Sequence, residues 1–207
     1  MVLLFQRNQD IKKNAYPNWM SYSRSSSEFA TYSEMYKKSG DILIDSIEEN
    51  FSCKADEVII PCILLYRHSS ELILKAILLT HYLMDNNMTR EKIEKKLDTH
   101  KLMTLWNRAD DIICKYIDKD MRKYMRSVIE ELDLIDPTST MFRYPFDKRY
   151  EKAQLIGDEE RNYRIDYTAL KEEFNKAYNC FISYFYYIYE IYDSSETIRV
   201  LCAPRKR

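Results

Sequence analysis

The chain has 207 residues and a formal net charge of −1, with 45% apolar residues, 31% charged residues, two glycines and five prolines. This length fits one domain with a sizeable core, and so few helix-breaking residues favour long helices over a β-rich fold. The near-neutral charge lacks the broad basic signature of a dedicated nucleic-acid-binding protein.

The first predicted helix spans about 18–50 and follows an N-terminal arm, 1–17. Its large side chains recur every seven residues, at Tyr22, Phe29, Tyr36 and Leu43. Small residues fall between them at the same spacing, at Ser26, Ser33 and Gly40. This alternation of large and small residues on one face would let another helix approach closely, but a plain amphipathic helix is sufficient to explain the pattern.

The second predicted helix spans about 55–85 and is apolar on nearly every side, which is typical of a buried helix. Four ionisable residues lie in its middle: Arg67, His68, Glu71 and Lys75. Burying such charges is costly unless they are paired. Because residues three and four apart are neighbours on a helix, Glu71 can bridge Arg67, His68 and Lys75. The cluster is either a polar network that fixes the helix or an acid–base or phosphate-binding site.

Three shorter stretches with helical spacing follow. The first is a short helix at about 89–97. The next begins at Asp98 or Thr99, which are good N-cap residues, and has apolar residues at i, i+3 and i+4. Asp120 is the predicted cap of the third, and Pro137 ends it.

Residues 137–166 break the helical period and are expected to form a long loop or a small hairpin. The last helix is predicted to begin after Asp166 and to run to about 193. A tail, 194–207, follows, in which 198–202 is a candidate short strand. These elements predict an all-α bundle of about five main helices over 18–193.

Two further segments contain candidate site residues. His100 stands at the start of a predicted helix, where a histidine is more often structural. Arg143 lies in the sequence Phe-Arg-Tyr-Pro, and a proline-fixed loop there could fold over the charged cluster and pair Arg143 with Glu71 or an aspartate. We assign Arg67, His68 and Arg143 as candidate catalytic residues. The supporting polar network comprises Glu71, Lys75, His100, Tyr144 and Asp147.

Several kinds of site have no sequence signature here. The five cysteines include no Cys-x-x-Cys pair, so neither a disulfide framework nor a zinc site is indicated. Gly-rich phosphate loops and Gly-x-Ser-x-Gly elbows are also missing from the sequence. We therefore predict no metal and no cofactor, and we expect a reduced, cytoplasmic setting. The apolar run at 58–66 is interrupted by Arg67 and His68, so a membrane span is not expected.

Three segments, in order along the chain, resemble HEPN domains. The stretch 66–78, with Arg-His-x-x-Glu and Glu-x-x-x-Lys-Ala spacing, looks like the second HEPN helix. His100-x-Leu102-x-x-Leu105 resembles the opening of the next helix. Residues 135–147, with Phe-Arg-Tyr-Pro inside them, look like a loop of a bacterial subgroup of HEPN-like proteins. The resemblance covers roughly 58–190.

The resemblance implies an α-helical bundle, dimerisation, and a role in phage defence or a toxin–antitoxin system. Many members are metal-independent ribonucleases with Arg and His four to six residues apart, late in the domain. This chain departs from that pattern, since no histidine follows His100. We therefore expect an RNA-cleaving or RNA-binding effector in which Arg67, His68 and Arg143 replace the usual residues. The alternative is a non-catalytic interaction module, homodimeric or bound to a protein encoded nearby.

Overall fold

The computed structural model describes residues 9, 10, 12, 15, 26–47, 52–140, 142–143 and 164–202, with the backbone alone at 52–53 and 196–202. Across these ranges the chain forms six helices and no strand, which confirms the all-α prediction. The helices are α1 (Ser26–Asp45), α2 (Ser52–Met84), α3 (Arg90–Leu97), α4 (Leu102–Ile113), α5 (Lys119–Ile135) and α6 (Tyr167–Cys202).

The C-terminal end of the chain differs from the prediction. The N-terminal arm and the start of the first predicted helix lie outside the described residues, apart from 9, 10, 12 and 15. The short strand expected at 198–202 is wrong, because α6 runs on to Cys202. Ser194 and Ser195 do not end this helix, since their hydroxyls donate to the carbonyls of Glu190 and Tyr192 within it.

Hydrogen bonds at the helix starts explain why α4 and α5 begin at residues other than those predicted. α4 begins at Leu102, not at 98 or 99, because the Thr99 hydroxyl accepts a hydrogen bond from the Lys101 amide and closes a turn before the helix. α5 is capped by Asp118, not by Asp120: one Asp118 carboxylate oxygen accepts from the amides of Asp120 and Met121, each at 3.0 Å. The helix ends at Ile135, before Pro137, as predicted.

α1 packs closely along α2, and its small residues lie at the contact. Ser26, Ser33 and Gly40 are all buried. A Cβ added to Gly40 would lie 2.6 Å from Cε1 of Tyr66, so only glycine fits there. The Tyr66 ring is itself held in place, since it stacks on Phe174 of α6 with 4.1 Å between ring centroids.

Buried hydroxyl groups join α1, α2 and α6. The Ser33 hydroxyl donates to the backbone carbonyl of Ser69 at 2.7 Å and lies 2.9 Å from the hydroxyl of Tyr178. The Ser69 hydroxyl in turn donates to the carbonyl of Ser33 at 3.0 Å. These paired groups avoid the cost of burying a polar atom without a partner.

α4 and α5 complete the bundle. Trp106 of α4 is fully buried and meets Phe181 of α6 edge to face at 5.8 Å. Met125 and Ile129 of α5 enter the same core. α2 therefore lies at the centre of the bundle. Its buried Arg67 faces two connections, one before α4 and one after α5. None of the described helices is long and apolar enough to cross a membrane.

Candidate functional site

Arg67 is fully buried in the middle of α2 and binds two connecting segments at once. Its Nε donates to the backbone carbonyl of Asp136, at the end of α5, at 2.9 Å. Its Nη2 donates to the backbone carbonyl of His100, just before α4, at 2.8 Å. The guanidinium therefore fixes both segments against α2, and it has no exposed surface with which to touch a substrate.

Glu71 lies one turn further along α2, and its carboxylate contacts three cationic or imidazole groups. Its Oε1 accepts from Lys75 Nζ at 2.9 Å and lies 2.9 Å from Nδ1 of His100. Its Oε2 faces Arg67 Nη1 at 3.6 Å. The carboxylate is 2% exposed, so these groups, instead of water, compensate its negative charge.

The protonation of the cluster follows from its contacts. Burial alone would raise the pKa of Glu71, but the hydrogen bonds and charges of Lys75 and His100 hold that pKa below its usual value. Burial lowers the pKa of Arg67, while the carboxylates of Asp136 and Glu71 oppose that shift. An arginine stays protonated in proteins, so the buried cluster contains ionised partners of both signs.

The segment after α5 is tied to the cluster through Asp136, which is fully buried. One Asp136 oxygen accepts from the Thr140 amide at 2.8 Å, and the other lies 3.5 Å from Arg67 Nε. Ser139 in this turn has φ of 60°, in the left-handed region that non-glycine residues seldom adopt. Arg143 follows, exposed, with Nε donating to the Ser139 carbonyl at 2.6 Å.

His68 is half-buried and turns toward α1. Its ring meets the ring of Tyr36 edge to face, with centroids 4.5 Å apart. Burial lowers the pKa of His68, with Glu71 acting in the opposite direction and Lys75 reinforcing the effect. The neutral form is therefore favoured. This histidine lies beside the cluster, but Glu71 binds His100 in the place where the sequence suggested His68.

His100 is the exposed member of the cluster, with 69% of its side chain accessible. Nδ1 points at the buried Glu71 carboxylate, and Nε2, across the ring, points away from it. An ionised carboxylate only accepts hydrogen bonds, so Nδ1 carries the hydrogen. In the neutral ring, Nε2 then holds a lone pair and can accept a proton.

The sequence predicted part of this arrangement. The bridges from Glu71 to Arg67 and Lys75 are confirmed. Within the described part of the chain, the ion-pair partners of Glu71 are Arg67, Lys75 and His100, so Arg143 does not pair with Glu71. The alternative pairing of Arg143 with an aspartate stays a prediction. Tyr144 and Asp147 lie outside the described residues.

Sequence reasoning missed Asp136 and underrated His100. An aspartate directly before Pro137 at the end of a predicted helix was the available signal for Asp136. Its 69-residue separation from Arg67 hid the contact.

The described residues contain no group of three or more His, Cys, Asp or Glu side chains placed to hold a metal ion. Comparison of the chain with protein-family models, curated proteins and solved structures found no match.

Proposed function

We propose that the chain is a HEPN-like cytoplasmic protein of a phage-defence or toxin–antitoxin system, and that it acts on RNA. One observation carries the proposal: two exposed groups suited to a phosphodiester, the His100 ring and the Arg143 guanidinium, belong to the two connections, before α4 and after α5, that the buried Arg67 binds. A guanidinium binds phosphate oxygens, and a histidine transfers protons near neutral pH.

The reaction that suits these groups is cleavage without a metal ion. A histidine accepts the proton of a ribose 2′-hydroxyl, and the oxygen bonds to the adjacent phosphorus. The bond from phosphorus to the 5′-oxygen breaks, and water protonates that oxygen. Arg143 opposes the charge on the phosphorane. Arg67, which is sealed in the core, would act by holding the two segments in place.

The test is incubation of labelled single-stranded RNA with the full chain in the presence of EDTA. We expect products ending in a 2′,3′-cyclic phosphate. Arg143→Gln should slow cleavage by about tenfold or more, whereas Arg126→Gln is the matched control, because Arg126 pairs with Glu130 on the exposed face of α5. RNA that is neither bound nor cut by the wild type would reject the proposal.

A second candidate is a non-catalytic interaction module, and an exposed aromatic patch favours it. Tyr116, Tyr187 and Ile191 lie at the same end of the bundle and are 56%, 49% and 46% exposed. Aromatic side chains are enriched in protein interfaces, and clustered exposed apolar surface marks such sites. The homodimer expected from the resemblance would use this patch.

The mass of the protein in solution tests the second candidate. Light scattering should give twice the chain mass for the wild type and one chain mass for Tyr187→Glu. Tyr32→Glu is the control, since Tyr32 lies on a different helix, α1, and is similarly exposed at 41%. A wild type that is monomeric, or a dimer that Tyr187→Glu leaves intact, would reject the patch as the dimer interface.

A further inference from the structure

We propose that His100 is the proton-transfer residue of this site, with Nε2 as the reacting atom and Glu71 as the positioning residue. The RNA substrate in this inference rests on the proposed function. The arrangement of the two side chains does not: Nδ1 of His100 lies 2.9 Å from Oε1 of Glu71, and the imidazole is 69% exposed while the carboxylate is 2% exposed.

The carboxylate is fixed before it meets the imidazole. Lys75 Nζ donates to the same Oε1 at 2.9 Å, and Arg67 Nη1 lies 3.6 Å from Oε2. Glu71 therefore has little freedom to rotate, and it is kept ionised by its neighbours. A buried carboxylate that holds one imidazole nitrogen sets both the tautomer and the direction of the ring.

The backbone of His100 is fixed as well. Its carbonyl accepts from Arg67 Nη2 at 2.8 Å, so one buried guanidinium holds the main chain while the neighbouring carboxylate holds the ring. The residue precedes α4 by two positions. An exposed side chain on a connecting segment is ordinarily free to sample rotamers, and these two anchors restrict that freedom at His100.

The other two histidines are less suited to proton transfer with a large substrate. His68 is half-buried against Tyr36. His81 is half-buried near the far end of α2, and burial lowers its pKa. Neither has an ion pair with Glu71 among the described residues. His100 alone of the three combines an exposed ring with a buried carboxylate partner.

In the cleavage step one proton moves to His100 and one comes from water. Nε2 accepts the proton from the 2′-hydroxyl, the 2′-oxygen bonds to phosphorus, and the bond to the 5′-oxygen breaks with water supplying the proton to the leaving group. The imidazolium then returns its proton to the solvent. During the step the Glu71 carboxylate faces the positive ring and stabilises it.

Two measurements on the full chain test the inference. The first is a long-range proton–nitrogen NMR correlation of the neutral histidine rings, with His100 assigned from its loss in His100→Gln. We expect the Nδ1–H tautomer for His100. The Nε2–H tautomer would overturn the inference whether or not the protein cuts RNA.

The second measurement is RNA cleavage by His100→Ala with and without added imidazole. General acid–base catalysis contributes about 10²–10⁴-fold, so we expect kcat to fall by about 100-fold or more and imidazole to restore part of it. His81→Ala is the matched control and should keep the wild-type rate. Unchanged cleavage by His100→Ala overturns the inference and leaves the proposed function standing. A wild type without cleavage overturns the proposed ribonuclease activity, while the tautomer still decides the pairing of His100 with Glu71.

Discussion

Arg67 and Asp136 form a buried pair that joins the middle of α2 to the end of α5. Arg67 Nε donates to the Asp136 carbonyl at 2.9 Å and lies 3.5 Å from its carboxylate, and neither side chain is exposed. The free-energy cost of removing two charges from water offsets much of their mutual attraction. The pair therefore contributes mainly by fixing which segments meet, and removing one partner takes away a counter-charge that the other has in the core.

Arg67→Met should lower the free energy of unfolding by about 3–5 kcal/mol, because the buried Asp136 would lose the guanidinium beside it and Glu71 would lose one of its three partners. Urea unfolding near neutral pH measures the change. The matched control is Arg122→Met: Arg122 pairs with Asp110 at 2.7 Å in a more exposed setting, so we expect a loss below about 1 kcal/mol. Equal losses in the two variants would contradict a buried ionic network.

Gly40→Ala should destabilise the protein although alanine is the better helix former. The new Cβ would meet Cε1 of Tyr66 at 2.6 Å. Tyr66 cannot easily move, since its ring stacks on Phe174 and its hydroxyl donates to Asp41 at 2.7 Å. Overpacking costs about 1–3 kcal/mol, against a propensity gain of about 1 kcal/mol.

Thermal unfolding of Gly40→Ala and of Ser39→Ala separates the two effects. Ser39 is exposed on the same helix, so alanine there should change stability by no more than about 0.5 kcal/mol. A Gly40→Ala protein more stable than the wild type would show that α1 and α2 do not approach as closely as described.

Local spacing was sufficient to predict which segments are helical and part of the site, but not where α4 begins or where α6 ends. The recurrence of Ser26, Ser33 and Gly40 along one face allowed a close helix contact without requiring it, and Glu71 lies within one turn of Arg67 and Lys75. The partners that complete the site are 29 residues from Glu71, in the case of His100, and 69 from Arg67, in the case of Asp136.

No helical period reports contacts at such separations. Two of the bonds also use backbone carbonyls, which every residue carries. The sequence therefore predicted that the charges needed partners without predicting which partners they have.

Asp118→Ala should cost about 1 kcal/mol of stability, since the Asp118 carboxylate accepts from two amides at the start of α5. Asp120→Ala should cost only a few tenths of a kcal/mol, because Asp120 lies inside the first turn and acts mainly on the helix dipole. Salt screens the dipole effect, so chemical unfolding in high salt widens the difference. A larger loss in Asp120→Ala would restore the cap that the sequence suggested.

The stability of the fold should fall on mild acidification, and His68 should account for part of the fall. Burial lowers the pKa of His68 from the usual 6.5, against the opposing charge of Glu71. Because the folded pKa is depressed, the unfolded chain binds the proton first as pH falls. The contribution of His68 is therefore present above about pH 6.5 and is lost progressively as pH drops toward the folded pKa. Melting temperatures from about pH 8 to about pH 5 should fall less steeply for His68→Gln than for the wild type.

His81→Gln should also make the melting temperature fall less steeply with pH, since burial lowers the pKa of His81 as well, and the double variant should show a still smaller fall. Parallel curves for His68→Gln and the wild type would mean that His68 is solvated in the folded protein and does not pack against Tyr36.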